Sequence, residues 1–136
     1  MYQLIYISKA THPMSSRELN DMLIQAREKN KQLNITGMLV HHEGRFVQIL
    51  EGHQHQVDSL FDTIKQDPRH SNVFLIESSE VRQRAFPGWE MAFRELFSTE
   101  LDEHPEIKSL MDSARNHQGA LNRMVKTFLS LIIKPV

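Results

Sequence analysis

The sequence of 136 residues has the length of a single domain, and its 40% hydrophobic and 24% charged residues are typical of a globular protein rather than a disordered chain. Sixteen Lys and Arg against seventeen Asp and Glu give a net charge of −1, which is too balanced to attract nucleic acid or an anionic membrane from a distance. The absence of cysteine excludes disulfides and thiolate metal sites, and together with the lack of a signal peptide or a long apolar segment it predicts a cytoplasmic protein.

The first strand and the first helix are predicted from hydrophobic periodicity. Alternating apolar residues predict a strand at 3–8 in which Leu4 and Tyr6 share one face and both faces are buried. The capping-box spacing that begins at Ser15, followed by an amphipathic stripe, predicts a helix over about residues 15–30.

A hairpin, a second helix and two more strands follow. Gly44 lies between two β-rich runs, where a short hairpin loop needs a residue that tolerates positive φ. The second helical stripe stops before Pro68, because proline disfavours helical geometry in the residue that precedes it. The predicted strands are 35–41, 46–50, 73–76 and 89–93, and the predicted helix is 57–64.

The order β-α-β-β-α-β-β predicts an α+β fold, a ferredoxin-like sheet with two helices on one face. Residues 105–114 and the stretch from Ala120 predict a C-terminal extension of two helices, so that 1–97 forms the main domain and 98–136 an extension. The broad apolar face of 121–132 suits either the uncovered side of the sheet or a partner.

Three polar residues lie where the pattern favours apolar ones. Tyr6 shares its strand face with Leu4, Gln48 lies between two apolar residues of one strand face, and Asn30 lies at the end of the first helix's apolar stripe. A core aromatic, a solvent-facing strand residue and a helix C-cap are the respective alternatives. Their joint placement favours a site for a flat polar ligand with an apolar body.

Metal and phosphate chemistry receive little support. The eight histidines lack the spacing of a metal site, since His41 and His42 point to opposite faces of one strand and His53 and His55 have no further ligand nearby. No phosphate-binding glycine loop and no nucleophile elbow occurs among the five glycines. We therefore predict no metal.

Several short motifs match the pattern of a known family. They are the segments 4–8, 34–39, 46–52, 67–70 and 86–91. Through them the chain resembles a BLUF domain, a sensor of blue light using flavin, of the short stand-alone type. The resemblance covers residues 1 to about 94, and the tail from Ser98 is similar to the two-helix extension of short members only in its pattern. It implies a flavin cofactor, with FAD favoured over FMN or riboflavin.

The resemblance also implies a photoactive pair and a route for the signal. Tyr6 matches the tyrosine that donates an electron and a proton to the excited flavin, and Gln48 matches the glutamine between that tyrosine and the flavin. Trp89 and Met91 match the pair on the fifth strand whose position is linked to the light state. The product would be a reversible red-shifted state without a covalent adduct.

The flavin-binding residues implied by the resemblance come from both helices and from the segment after the second. Asn30 would hydrogen-bond the polar edge of the ring, and Ile24 and Ile64 would sandwich it. Lys29 and Thr63 depart from the family pattern near the ring-binding asparagine and the phosphate. The remaining implied flavin contacts are Lys29, Asp67, Arg69 and His70.

The leading functional hypothesis is therefore a non-enzymatic photoreceptor that forms a homo-oligomer and signals to an unidentified effector protein, without contacting nucleic acid or membrane. A ferredoxin-like hydrolase of the acylphosphatase type is an alternative, but it needs an Arg and an Asn converging on a phosphate, and no glycine-rich loop follows the first strand. A ligand-free interaction module using the last helix is another. Purification separates the three, because only the first yields a yellow protein whose absorption shifts reversibly under blue light.

Overall fold

The computed structural model describes residues 1–112 and 119–133. It confirms the α+β class and the predicted order of elements, followed by three C-terminal helices where the pattern predicted two. The strands are β1 (Tyr2–Ala10), β2 (Thr36–His42), β3 (Arg45–Gly52), β4 (His70–Glu80) and β5 (Ala92–Glu95). The helices are α1 (Ser16–Leu33), α2 (Gln54–Gln66), α3 (Ser98–Glu103), α4 (Pro105–Asp112) and α5 (Ala120–Ile133). The predicted helix end at 113–114 and the tail at 134–136 lie outside the described residues.

The five strands form one mixed sheet in the order β4-β1-β3-β2-β5. Neighbours are antiparallel except for the parallel pair of β2 and β5. The register places Tyr6 opposite Gln48, and Gln48 opposite Leu39. Because directly opposite residues share a face of the sheet, the phenol and the carboxamide lie side by side.

Each face of the sheet is covered by its own set of helices. On the first face, Leu4 and Tyr6 pack against α1 and α2 through residues such as Met22 and Leu60. On the second face, Ile5 and its neighbours pack against the C-terminal helices. The helical residues buried there include Leu101, Ile107, Leu110, Leu121, Met124 and Phe128. The apolar stripe of α5 therefore packs on the sheet, which settles one alternative that its pattern left open.

Helix α1 begins as predicted but extends three residues further. Ser15 caps its N-terminus in a capping box with Glu18. The C-cap is Asn34, in the left-handed conformation at φ 56°, and its N–H contacts the carbonyl groups of Asn30 and Lys31. Asn30 is thus not the cap. It lies within the helix with its side chain turned inward and only 2% exposed.

The fifth strand begins later than the alternating pattern predicts, so the prediction of a strand from Trp89 is wrong. The turn at 86–88 continues to Trp89, whose N–H donates to the carbonyl of Phe86 at 3.1 Å. Pairing with β2 begins only at Ala92. Trp89 and Met91 consequently do not share a strand face: Met91 is 2% exposed and Trp89 is 46% exposed.

None of the helices in the described part of the chain is both long and apolar enough to cross a membrane.

Candidate functional site

A cavity of about 270 Å³ opens between α1 and α2 above the first face of the sheet. Its volume is just below the roughly 300–1,000 Å³ range of small-molecule sites. The apolar walls are formed by Met22, Leu23, Leu39, Leu60 and Ile64. The polar residues at its edge include Tyr6, Asn30, Gln48, Asp67, Arg69 and His70. An apolar slot with one polar edge suits a flat ring system whose heteroatoms lie along one side, which is the shape of a flavin.

A hydrogen-bonded chain of three buried side chains crosses the floor of this cavity. The Tyr6 hydroxyl donates to Oε1 of Gln48. Nε2 of Gln48 donates to Sδ of Met91 at 3.2 Å. The pairing of β1 with β3 sets the first contact, and the inward turn of Met91 sets the second. A change in the orientation of the Gln48 carboxamide therefore alters its contacts with both Tyr6 and Met91.

The Tyr6 phenol is strongly biased toward its neutral form. Its complete burial raises the pKa far above the ordinary value of 10, and the negative charge of Asp67 raises it further. The phenol therefore keeps its proton at neutral pH. Loss of that proton requires prior or simultaneous removal of an electron, because an oxidised phenol is a far stronger acid than a neutral one.

An ion pair lies at the polar edge of the cavity. Nη2 of Arg69 lies 2.7 Å from Oδ2 of Asp67, and Nε lies 3.1 Å from both carboxylate oxygens. Hydrogen bonding from Arg69 lowers the pKa of Asp67, and the same contact raises the pKa of Arg69. The other terminal guanidinium nitrogen, Nη1, donates to Oε1 of Gln25 at 3.4 Å. The pair presents a fixed, charged donor group to a ligand in the cavity.

His70 closes the cavity beside this ion pair. Its Nδ1 lies 3.1 Å from the Ser8 hydroxyl, and its ring centroid lies 5.2 Å from that of Phe46 in an edge-on contact. Burial lowers the pKa of His70, and the attraction to Asp67 opposes this effect without overcoming it. The imidazole is therefore neutral at pH 7.

We expect this buried histidine to make the protein less stable as the solution is acidified. The folded pKa is lowered, so the unfolded chain binds the proton more readily, and the stability present above about pH 6.5 is lost as the pH falls toward the folded pKa. The urea midpoint should decrease between pH 7.5 and 5.5, and His70→Asn should flatten that slope. His55→Gln, at an exposed position on α2, should leave the slope unchanged; an equal slope in His70→Asn and the parent would contradict the assignment.

Three successive carbonyl groups before β5 are held by hydrogen bonds from α1 and β2. The N–H of Gly37 donates to the carbonyl of Trp89 at 3.0 Å. Nδ2 of Asn30 donates to the carbonyl of Glu90 at 2.6 Å, and Nε of Arg27 donates to that of Met91 at 2.9 Å. These bonds explain why the segment leaves the alternating strand pattern.

Most of the predicted site residues surround one cavity, and two do not. Ile64 and Lys29 line it with the polar group named above. Among the described residues, Ile24 lies outside the lining and its side chain is 54% exposed. Its neighbour Leu23 points inward instead. Because one step along a helix rotates the side chain by about 100°, Ile24 points away from the cavity. Trp89 also lies outside this lining.

Sequence reasoning missed the buried carboxylate of Glu51. This side chain is 0% exposed on β3, three residues after Gln48. It accepts hydrogen bonds from Gln3 Nε2, Thr36 Oγ1 and the backbone N–H groups of Ala85 and Phe86, at 3.0, 2.8, 2.8 and 2.7 Å. Glu51 thus ties the loop that leads to Met91 onto the sheet. An acidic residue continuing an apolar strand was the signal that could have revealed it.

Comparison with known proteins gives consistent matches. The family model "BLUF: Sensors of blue-light using FAD" matches residues 1–92. The photoactivated adenylate cyclase subunit beta of Euglena longa is 36% identical over 131 residues, which are 94% of this chain and 14% of that protein. The chain thus spans only a small part of the length of that curated relative.

Solved structures agree over nearly the whole chain. The dark-state structure of BlrB, a BLUF protein, superposes with a TM-score of 0.76 at 27% identity, covering 93% of this chain and 96% of that one. The ground state of BlsA superposes with a TM-score of 0.75 at 27% identity, covering 98% of this chain and 89% of that one. Both likenesses cover more than nine tenths of this chain.

Proposed function

The chain belongs to the BLUF family of blue-light sensors that use flavin, and on this premise we propose that its light response is carried by Tyr6 and Gln48. Tyr6 supplies an electron and a proton, and Gln48 rearranges its hydrogen bonds to give a reversible red-shifted state that is passed to a partner protein. The observation that supports this proposal is the chain of hydrogen bonds from Tyr6 through Gln48 to Met91 in the cavity floor.

Flavin is the cofactor of the family, whose description names FAD. In this chain Leu23 and Ile64 would contact the faces of the ring, and Asn30 and Arg69 would hydrogen-bond its polar edge. Ile24 stays a predicted ring contact, with an exposed side chain free to cover a ligand. Lys29, Asp67 and His70 would hold the remaining polar atoms. FMN and riboflavin share the same ring and would fit the same groups.

When bound, the flavin supplies an acceptor for one electron and one proton on absorbing blue light. Tyr6 loses the electron, and Asp67 stabilises the positive charge that appears on the phenol. The phenolic proton would then move to Oε1 of Gln48 along the existing hydrogen bond, and Gln48 would give up a proton from its nitrogen to the proton acceptor that a bound flavin supplies. The electron and the proton afterwards return to Tyr6, so that no covalent bond to the protein remains.

Gln48 is left with its donors and acceptors exchanged, by rotation or by tautomerisation. A carboxamide offers two donors and one acceptor, so either change presents a different pattern to its neighbours. A stronger hydrogen bond from Gln48 to a carbonyl of the bound flavin would lower the excitation energy and would account for the expected red shift. The same change removes the donor that now faces Met91 Sδ.

The signal would leave through Met91 and β5. This residue directly precedes β5, whose Arg94 contacts Glu100 of α3. We assign residues 1–97 to the sensor and 98–136 to an extension that transmits the signal and supports a homo-oligomer. An effector protein of unknown identity would read the state of this extension.

We propose no enzymatic role for this chain. The hydrolase alternative needs an Arg and an Asn that converge on a phosphate held in a glycine-rich loop, and no such loop follows the first strand in the sequence. A ligand-free interaction module that binds a partner through its last helix is also disfavoured, because the apolar stripe of α5 is buried on the sheet. The cyclase activity named for the Euglena relative belongs to that protein.

Gln48→Leu is expected to bind flavin and to lose the light-induced shift. Leucine fills a similar volume but offers no hydrogen bond to the ring or to Tyr6. The measurement is the difference in absorption between the dark and the blue-illuminated protein. Gln25→Leu is the matched control, because it removes a carboxamide from the same cavity without touching Tyr6. A normal shift in Gln48→Leu would refute the mechanism.

A further inference from the structure

The main chain of Met91 is tied to α1 by a residue that has no assigned role. Arg27 donates from Nε to the Met91 carbonyl at 2.9 Å, in a partly buried bond. The ladder between β5 and β2 begins only at the next residue, Ala92. The position of Met91 is therefore set by this bond and by the contact of its Sδ with Gln48, rather than by strand pairing.

Arg27 reaches the Met91 carbonyl from outside the cavity. Of the residues that the structure describes, Asn30 lines the cavity and Arg27 does not. Asn30 donates to the Glu90 carbonyl, but its amide is also the group that would hydrogen-bond a flavin. Once that amide turns to a ligand, the guanidinium of Arg27 remains as a tether between α1 and the segment.

The other end of the segment is firmly anchored. Both carboxylate oxygens of Glu51 accept from the backbone at Ala85 and Phe86. Gly88 follows at φ 80°, a conformation that glycine adopts without strain. Movement of Met91 is thus confined to the few residues after this anchor, and Arg27 holds the end that moves.

We propose that Arg27 is a positioning residue for the dark state of the light switch. It holds the Met91 carbonyl so that Sδ lies at the carboxamide of Gln48, and it releases the carbonyl when that carboxamide rearranges. The return to the dark state then includes recapture of the carbonyl by Arg27. This inference rests on the photoreceptor mechanism proposed above.

The test is the dark recovery of flavin-loaded Arg27→Leu after a pulse of blue light. We expect recovery about three- to tenfold slower than in the parent, the factor that one hydrogen bond contributes when it is re-formed in the transition state of recovery. Flavin content and the size of the shift should be unchanged, because Arg27 touches neither the cavity nor Tyr6. Arg27→Lys, which keeps the charge but loses the guanidinium, should fall between the two. Arg17→Leu, exposed on the first turn of α1, should recover like the parent.

A second measurement does not depend on light. In the dark, amide hydrogen exchange at residues 90–93 should be faster in Arg27→Leu than in the parent and unchanged in Arg17→Leu. The role of Arg27 would be overturned if Arg27→Leu recovered at the parental rate or if Arg17→Leu slowed recovery equally. Unchanged amide exchange at residues 90–93 in Arg27→Leu would also overturn it. A parent protein without any light-induced shift would instead refute the proposed function, while the exchange comparison would still report on the tether.

Discussion

Tyr6→Phe is expected to fold and to bind flavin but to show no light-induced shift, a change from a full response to none. The phenol is the electron and proton donor in the proposed mechanism, and phenylalanine retains neither the acidic hydrogen nor the same ease of oxidation. The ring should keep its place, because it packs against Phe61 at a centroid distance of 5.2 Å. The loss should therefore lie in the chemistry and not in the packing.

The measurement is again the absorption difference between dark and blue-illuminated protein, with flavin content determined on the same sample. Tyr2→Phe is the natural control, since the chain has two tyrosines and Tyr2 lies outside the lining described for the cavity. It should respond like the parent. A reversible shift of normal size in Tyr6→Phe would show that another residue donates the electron.

Glu51→Ala is expected to lower the free energy of unfolding by about 2–4 kcal/mol, because it leaves several buried donors unpaired at about 1–3 kcal/mol each. The relief of burying a charge offsets part of this loss. The unpaired donors would be the Gln3 carboxamide, the Thr36 hydroxyl and the N–H groups of Ala85 and Phe86. Glu51→Gln should be intermediate, since its one NH₂ group faces a donor while its oxygen still accepts.

Urea denaturation of the flavin-loaded proteins gives the comparison. Glu28→Ala, at an exposed position on α1, should shift the free energy of unfolding by less than about 0.5 kcal/mol, as surface substitutions usually do. If Glu51→Ala were as stable as Glu28→Ala, the four hydrogen bonds to Glu51 would contribute nothing to the anchoring of the 84–91 loop.

Local patterns in the sequence were enough to predict the elements and the polar residues of the site. Period-two and period-3.6 alternation gave the order of strands and helices, and the Ser15 cap began α1 where expected. Tyr6, Gln48 and Asn30 were singled out because each interrupts an apolar stripe, and all three line one cavity. Such interruptions are visible in sequence because burying an unpaired polar group is costly. The roles proposed for these residues come from the family motifs.

The direction of the Trp89–Met91 segment was decided only by the tertiary structure. Alternation placed both side chains on one face, whereas the fold buries Met91 and exposes Trp89. The cause lies in bonds from Arg27, Asn30 and Gly37, each more than fifty residues away along the chain. Periodicity within a segment carries no information about such distant partners.

The sequence by itself determined what depends on local patterns, and it left open what depends on contacts between distant segments. Local spacings of residue types determined the class of fold, and the family motifs identified flavin as the cofactor and predict Tyr6 and Gln48 as the photoactive pair. The burial of Glu51 and the outward turn of Ile24 depend on the packing of separate segments. A carboxylate at the end of a strand is compatible with solvent or with four donors, and only the meeting of β1, β2 and the 84–91 loop supplies those donors.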